Sequence, residues 1–478
     1  MNQDKTPPDS EINDDFDKRS HTGFVKPSII LFTDNLLLSA GNWFYWLVIS
    51  KLTLASEIGL AVTVYSLVML VTTLTQLGLE YPLLKKSSIP GSSSIGTSLL
   101  IELVITLASI PIVLLIVNSL YAESIGHFNW ITILLLCILS IEYIARFALL
   151  GISNTKAVLI IDLIGLGIKL PTGILLVTLP NAALGILVAY LAEGIFITLA
   201  SLFILKKSSS FRLGSLSYFK ETLKDALVNS PAKWSKMVIV TLSIVLLAHM
   251  NINSSDVGVF YIVLMITIVV ASFASSMAYM VIPSSSALKK DLSSSSLRIS
   301  LSLTAPIVVA LLVAPNTILS FIGTEYESGQ DVLRILALAI IPSSITINII
   351  SKLNNLANSK MLLLSGTVQI IAFFLLFTTL VPIFGTMGAA LSILAAYLSS
   401  ALLLVFFTKH ESFRYIIFVC ISVLTGYIAG YAVGEPTGHQ QFLVIICSIV
   451  VSIFVVFASR NMTIKETSFL LKSLFQSN

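Results

Sequence analysis

Residues 56–60 read Ser-Glu-Ile-Gly-Leu and residues 255–259 read Ser-Asp-Val-Gly-Val, so an acidic-x-Gly motif returns after 199 positions. Each copy follows one long apolar run and begins another. Three further matches keep the same order along the chain: Asn154-Thr155-Lys156 with Asn358-Ser359-Lys360, Ala182-Ala183-Leu184 with Ala389-Ala390-Leu391, and Ala189-Tyr190-Leu191 with Ala396-Tyr397-Leu398. The sequence therefore predicts two copies of one structural unit.

The composition indicates whether these units fold in water or in a membrane. Of the 478 residues, 56% are hydrophobic and only 11% are charged, with a mean hydropathy of +0.96. Soluble domains carry about 25% charged residues, so a water-soluble enzyme is excluded. The apolar runs are continuous and about 20 residues long, which is typical of membrane-spanning helices and not of alternating barrel strands.

We predict an all-α polytopic membrane protein with fourteen transmembrane helices. The first six spans are 28–50, 58–79, 96–120, 130–152, 157–179 and 183–205. The next six are 234–250, 258–282, 297–322, 332–351, 361–381 and 385–408, and the last two are 415–433 and 441–459. A repeat of six spans gives two parallel halves with a cavity between them, as in rocker-type secondary transporters.

The loops predict the orientation. With the N-terminus inside, the inner loops hold nearly all Lys and Arg residues, as the positive-inside rule requires. This arrangement is expected for a multi-pass protein of the cytoplasmic (inner) membrane with both termini inside. The expected segments are a disordered cytoplasmic tail (1–27), a six-helix half (28–205), a cytoplasmic linker (206–233), a second six-helix half (234–408), two extra transmembrane helices (415–459) and a cytoplasmic tail (460–478).

Charged side chains inside the apolar runs are the candidate site. A charge at the bilayer centre costs about 2.5–3.5 kcal/mol, so each needs a partner or a water-filled cavity. Glu193 lies near the middle of an apolar helix and is expected to line a cavity. Glu102 lies near the inner end of its span and is expected at the membrane interface. Nearly all of these charges fall in the first half: Asp34, Glu102, Glu142, Arg146, Asp162, Lys169 and Glu193.

Four of these charges are expected to form a network. Glu142 and Arg146 are one helical turn apart, and Asp162 and Lys169 are two turns apart. Their helices are antiparallel neighbours, so Arg146 should lie level with Asp162, and Glu142 level with Lys169. One interpretation is a structural network that fixes two helices. The other is a cavity wall for an anionic headgroup, where Arg makes bidentate phosphate contacts and Lys supplies a point charge.

Four local sequence motifs resemble those of one known protein family. They read Glu57-Ile58-Gly59-Leu60 with Leu77-Gly78-Leu79, Asp256-Val257-Gly258-Val259-Phe260-Tyr261 with Pro283, Gly323-Thr324-Glu325-Tyr326 before a Leu-rich stretch, and Pro382-Ile383-Phe384-Gly385-Thr386-Met387-Gly388-Ala389-Ala390. On these residues the sequence resembles the polysaccharide-biosynthesis exporters. These are the lipid-linked oligosaccharide flippases of the multidrug/oligosaccharidyl-lipid/polysaccharide (MOP) exporter superfamily. The resemblance covers roughly residues 25–405. Two related families are alternative matches, the multidrug (MATE-type) extruders and the lipid II flippases.

The resemblance implies a MATE-like fold and a flippase that carries a lipid-linked oligosaccharide to the outer leaflet by alternating access. The partners would be a polyprenyl-linked glycan and membrane lipids. The substrate-binding residues would be Arg146, Lys169, Glu142, Asp162 and Glu193. The alternative is a cation-coupled multidrug extruder in which Asp34 binds the coupling ion, H⁺ or Na⁺.

Other classes of function find little support. The five histidines are scattered without metal-ligand spacing, and there is no Gly-x-x-x-x-Gly-Lys-Ser/Thr phosphate loop. The longest loop, of about 28 residues, is too small to hold a soluble enzyme domain. The formal net charge of +4 reflects the membrane topology and gives no sign of nucleic-acid binding. We therefore expect a monomeric protein that is not an enzyme and needs neither a cofactor nor a metal.

Overall fold

The computed structural model of the chain describes residues 9–87, 92–120, 128–208, 211–288, 293–355, 359–408, 413–432 and 440–458. Over these ranges it contains sixteen α-helices, one 3₁₀ helix and no strand. The first half comprises α1 (Asp9–Leu52), α2 (Ala55–Thr75), the short α3 (Glu80–Lys86), α4 (Ser94–Ser119), α5 (Asn129–Gly151), α6 (Thr155–Val177) and α7 (Ala182–Ser208).

The second half has the same sequence of long helices. It comprises α8 (Leu216–His249), α9 (Ser254–Leu288), α10 (Ser293–Val313), the short α11 (Pro315–Ile322), a 3₁₀ helix (Thr324–Gly329), α12 (Gln330–Asn355), α13 (Ser359–Phe384) and α14 (Thr386–Thr408). Two further helices follow, α15 (Phe413–Ala432) and α16 (Gln440–Ala458).

Each of the fourteen predicted spans coincides with helix. Eleven helices of the described residues are long and apolar enough to cross a membrane, and Ile239–His249 and Val444–Val455 are shorter apolar stretches. The all-α class is therefore confirmed, while the number of spans stays a prediction. The ninth predicted span is divided between α10 and α11, because Pro315 disfavours helical geometry at the residue before it.

The two halves pack their helices in the same way. In the first half, α6 packs against α1 and α7, and α5 packs against α2, α4 and α7. In the second half, α13 packs against α8 and α14, and α12 packs against α9, α10 and α14. This correspondence confirms two parallel six-helix halves. The helices α15 and α16 lie outside the repeat, where they pack against each other and against α10.

The halves meet through their first two helices, and the repeated motif explains the contact. Helix α1 contacts α9, and α2 contacts both α8 and α9. A Cβ atom on Gly59 would overlap the carbonyl oxygen of Ser254, and one on Gly258 would overlap that of Ala55. Glycine is therefore required at both copies of the motif, since the backbones of α2 and α9 touch there. This contact closes the expected outer side.

Two carboxylates bond to helix N-termini near this contact, one within the first half and one across the two halves. Glu57, the acidic residue of the motif, accepts a hydrogen bond of 2.9 Å from the Ala183 amide at the start of α7. Glu325 accepts one of 3.0 Å from the Ala55 amide at the start of α2, and so links the second half to the first. A carboxylate at a helix N-terminus satisfies a free amide and interacts favourably with the helix dipole.

Two segments expected to be irregular contain helix. Helix α1 begins at Asp9, within the predicted disordered tail 1–27, and α8 begins at Leu216, within the predicted linker 206–233. The Ser215 side chain caps α8 by accepting a hydrogen bond from the Tyr218 amide. The predicted C-terminal tail 460–478 lies outside the described residues.

Gly59→Ala is expected to destabilise the protein, because the added methyl group would overlap backbone atoms of α9. Gly167→Ala is the matched control, since Gly167 is also helical and a Cβ atom there meets nothing within 4 Å. Alanine is favoured over glycine in helices by about 1 kcal/mol, so the control should unfold at an equal or higher temperature. Thermal unfolding of the purified variants checks this, and equal midpoints for both would speak against the α2–α9 contact.

Candidate functional site

Six of the seven charged side chains inside the apolar runs of the first half gather into one cluster, contributed by α1, α5, α6 and α7. It is organised around two bases, one on α5 and one on α6. We call it the charge network, and its members are Asp34, Glu142, Arg146, Asp162, Lys169 and Glu193.

Arg146 lies between two carboxylates on different helices. Its Nη2 atom is 3.0 Å from Oδ2 of Asp34 and also contacts Oδ2 of Asp162. The predicted proximity of Arg146 and Asp162 is confirmed. Asp34, expected as a binding residue for a coupling ion, is buried against the guanidinium group, and its role stays a prediction. The Arg146 side chain stays 31% exposed, so water or a ligand can reach it.

Lys169 of α6 is held by groups from two other helices, α1 and α7. Its Nζ atom is 2.8 Å from Oε2 of Glu193 and donates a hydrogen bond to Oδ1 of Asn42. The same atom lies 4.8 Å from the centre of the Tyr190 ring and 5.3 Å from that of Tyr45, within cation–π range. Only 1% of the lysine side chain is exposed, so this cation is sealed.

Glu142 belongs to the charge network but is not paired with a base in the described part of the chain. Sequence spacing points to it as the partner of Lys169, but the structure places Glu193 there. Among the described residues no ion pair joins Glu142 to either base, and its buried Oε2 has no hydrogen-bond partner. The carboxyl group lies against Gly194 of α7, where a Cβ atom would come within 3.0 Å of Oε2. An ionised carboxylate at such a position is costly unless a donor or water reaches it.

Acids outnumber bases in the charge network. Two cations face four carboxyl groups, so the network has a net charge of −2 when every group is ionised. Both cations are already paired with acids. An anionic ligand therefore competes with carboxylates for both cations in this conformation.

An aromatic cluster joins the charge network to the second half. Tyr45 and Tyr190, which flank the lysine, pack edge to face with their ring centres 5.8 Å apart. Trp46 lies 5.4 Å from Tyr45 and 4.8 Å from Tyr261 of α9. Such aromatic pairs contribute about 0.5–1.5 kcal/mol beyond their buried area. Since α9 belongs to the second half, a movement between the halves changes the surroundings of the network.

The second half has neutral polar side chains where the first half has charges. Asn348 and Gln369 are both buried. Asn348 accepts a hydrogen bond of 2.8 Å from Ser296 and donates one of 3.2 Å to Ser300. The repeat is thus symmetric in its helices and asymmetric in its charge.

Glu102 lies apart from the charge network. Its side chain is buried between α2 and α4, where Oε1 accepts hydrogen bonds of 2.9 Å from Thr75 and 3.2 Å from Thr106. Its position at the inner membrane interface stays a prediction. Over the described ranges, no group of three His, Cys, Asp or Glu side chains could hold a metal ion.

Three solved structures with a similar fold are named as a flippase or as multidrug transporters. The chain is similar to the lipid II flippase MurJ in an inward closed conformation, with a TM-score of 0.70 and 17% identity over 94% of this chain and 100% of that one. An inward-facing multidrug resistance MATE family transporter of the MOP superfamily gives a TM-score of 0.61 and 13% identity, over 83% and 98% of the two chains. The MATE multidrug transporter DinF-BH gives a TM-score of 0.59 and 16% identity, over 84% and 96% of the two chains.

These similarities establish the fold. The MurJ and MATE structures are MOP superfamily members, so the MATE-like architecture expected from the motifs is confirmed. No protein-family profile and no curated protein match the sequence.

Lys169→Met is expected to lower stability strongly, because it leaves Glu193 as a buried charge without its counter-ion. Removing one partner of a buried pair costs about 3–5 kcal/mol. The double variant Lys169→Met/Glu193→Gln removes both charges and should recover much of that loss. Thermal unfolding of Lys169→Met, Glu193→Gln and the double variant in one detergent measures the coupling. Additive losses would show that the two side chains do not act as a pair.

Proposed function

We propose that this chain is a membrane transporter that moves a lipid-linked oligosaccharide across the cytoplasmic membrane by alternating access between its two halves. The observation that supports this most is the position of the charge network, buried in the first half and joined through aromatic rings to the second. Buried charges inside membrane helices mark substrate or ion pathways. Parallel repeats that enclose a site are typical of secondary transporters.

Arg146 would be the first residue of the network to meet the substrate. Its guanidinium group is partly exposed, and an incoming phosphate group can replace a carboxylate in a bidentate contact. Lys169 is sealed and would act as a positioning residue that holds α1, α6 and α7 together. Glu142, Asp162 and Glu193 would complete a wall of acceptors for sugar hydroxyl groups. The lipid tail would remain in the bilayer while the headgroup crosses.

The charge balance favours a second candidate function, a cation-coupled multidrug extruder. Four carboxyl groups against two bases suit a cationic ligand better than an anionic one. In this scheme the Asp34 carboxylate would release Arg146 and bind H⁺ or Na⁺ in its place. The unpaired carboxyl group of Glu142 would contact an amphipathic cation. Both functions would use the same two halves and the same alternating access.

The proposal extends to the setting of the protein. We place it in the cytoplasmic membrane with both termini inside, because the basic residues lie on that side of the predicted topology. It would act as a monomer without a cofactor. Its partners would be the polyprenyl-linked glycan and the surrounding lipids, with H⁺ or Na⁺ as the coupling ion if transport is coupled.

Arg146→Gln is expected to reduce export about tenfold or more, because a charge-assisted contact worth about 1.5–3 kcal/mol is lost. Arg334→Gln is the control, since Arg334 pairs with Asp331 at 2.9 Å at the expected outer surface. The measurement is the amount of glycosylated carrier lipid in each leaflet of cells that lack the protein and are complemented with either variant.

The outcomes separate the two functions. Build-up of glycosylated carrier lipid on the cytoplasmic side with Arg146→Gln, and not with Arg334→Gln, supports the flippase. Normal export by Arg146→Gln would remove Arg146 from headgroup binding. Absence of build-up in cells lacking the protein, together with sensitivity to cationic dyes, favours the extruder, and Asp34→Asn should then abolish dye export.

A further inference from the structure

A segment at the start of α8 packs against the first half, and we call this segment the strap. We define the strap as residues 211–227, which connect α7 to the membrane-crossing part of α8. Lys86 Nζ of α3 is 2.9 Å from Oε1 of Glu221 and 3.1 Å from Oδ2 of Asp225. The Gly214 amide donates a hydrogen bond of 3.0 Å to Oγ1 of Thr97 in α4. The strap is therefore anchored at both ends to helices of the first half.

This docking directs the two strap acids towards Lys86 and leaves the strap lysines exposed. Partial burial disfavours the charged form of Lys86, but the hydrogen bonds and charges of Glu221 and Asp225 outweigh it and raise its pKa above the usual value. The bridge therefore stays ionised at neutral pH. Lys220 and Lys224 are both exposed, and their charges remain available to a partner.

Exposed leucines accompany these lysines. Leu213 and Leu216 are 63% and 73% exposed, and Leu227 is 47% exposed. Leu216, Lys220 and Leu227 follow one another at helical spacing on a single face. Lys220, Leu223, Lys224 and Leu227 also line a shallow depression of about 370 Å³.

This combination of side chains fits one kind of partner. Large apolar side chains in bulk water cost free energy, whereas the boundary between headgroups and acyl chains accepts both leucine and lysine side chains. The strap is also covalently continuous with membrane helices at both ends, so it lies where that boundary is found. Anionic headgroups complement the lysines, since each basic residue near such a surface contributes about 1 kcal/mol.

We propose that the strap is a binding surface for anionic phospholipid. Its leucines enter the headgroup–acyl boundary and Lys220 and Lys224 contact lipid phosphate groups, while the Lys86 bridge holds an adjacent face of the helix to the first half. This site is separate from the charge network and does not depend on the transported substrate. It gives the link between the two halves a lipid-dependent anchor.

The test compares two double variants of the full-length chain in nanodiscs of phosphatidylcholine and phosphatidylglycerol. Lys220→Gln/Lys224→Gln removes the strap charges. Lys156→Gln/Lys360→Gln removes two exposed lysines that begin α6 and α13, on the same expected side of the membrane. Native mass spectrometry counts the phosphatidylglycerol molecules that remain bound to each protein. At about fivefold per lysine, the strap variant should lose up to about 25-fold in affinity for phosphatidylglycerol, and the control should change little.

Two outcomes of this experiment would overturn the proposal. An equal loss in both double variants would overturn the proposal, because any pair of exposed lysines on that side would then serve. Unchanged retention in both would also overturn it and identify the strap as an ordinary solvated surface. Lys220→Arg/Lys224→Arg keeps the charge and should retain the lipid. All four lysines are exposed, so unchanged thermal unfolding midpoints verify that each variant is folded.

Discussion

A charge inside the hydrocarbon of a membrane must find its partner within the protein, and the first half of this chain is arranged around that constraint. Arg146 meets it by bonding to Asp34 of α1 and Asp162 of α6, and Lys169 meets it by bonding to Glu193 of α7. Four helices are thereby held by two cations. A buried pair adds little net stability, because desolvation offsets attraction, but losing one partner is costly. The network therefore specifies how these helices fit together.

The repeat supplies the scaffold on which this network acts. Both halves pack their six helices alike, and they meet where Gly59 and Gly258 bring two backbones into contact. Glu325 adds a hydrogen bond between the halves at the N-terminus of α2, and Glu57 ties α2 to the N-terminus of α7 within the first half. The two halves thus share one helix arrangement, while the buried charges lie in the first of them.

Much of the fold could be predicted from sequence because its causes are local. Apolar runs of membrane length locate the helices, and the motif Asn154-Thr155-Lys156 begins α6 because the Asn154 side chain caps it. Gly385, in a motif shared with the superfamily, has a φ of +55°, which few residues other than glycine adopt readily. The pairing inside the network could be predicted only in part. Spacing relates neighbours such as α5 and α6, but it does not fix the rotation of α1 or α7, which supply Asp34 and Glu193.

In alternating access the two halves close in turn, first at the expected outer end and then at the expected inner end. Spin labels on the exposed outer residues Leu179 and Ile383, and in a second protein on the exposed inner residues Lys156 and Lys360, report those openings as distances. Double electron–electron resonance should show two populations for each pair. Adding the transported lipid or ion should shift the pairs in opposite directions, so that one distance grows as the other shrinks. A single unchanged distance for both pairs under every condition would contradict alternating access.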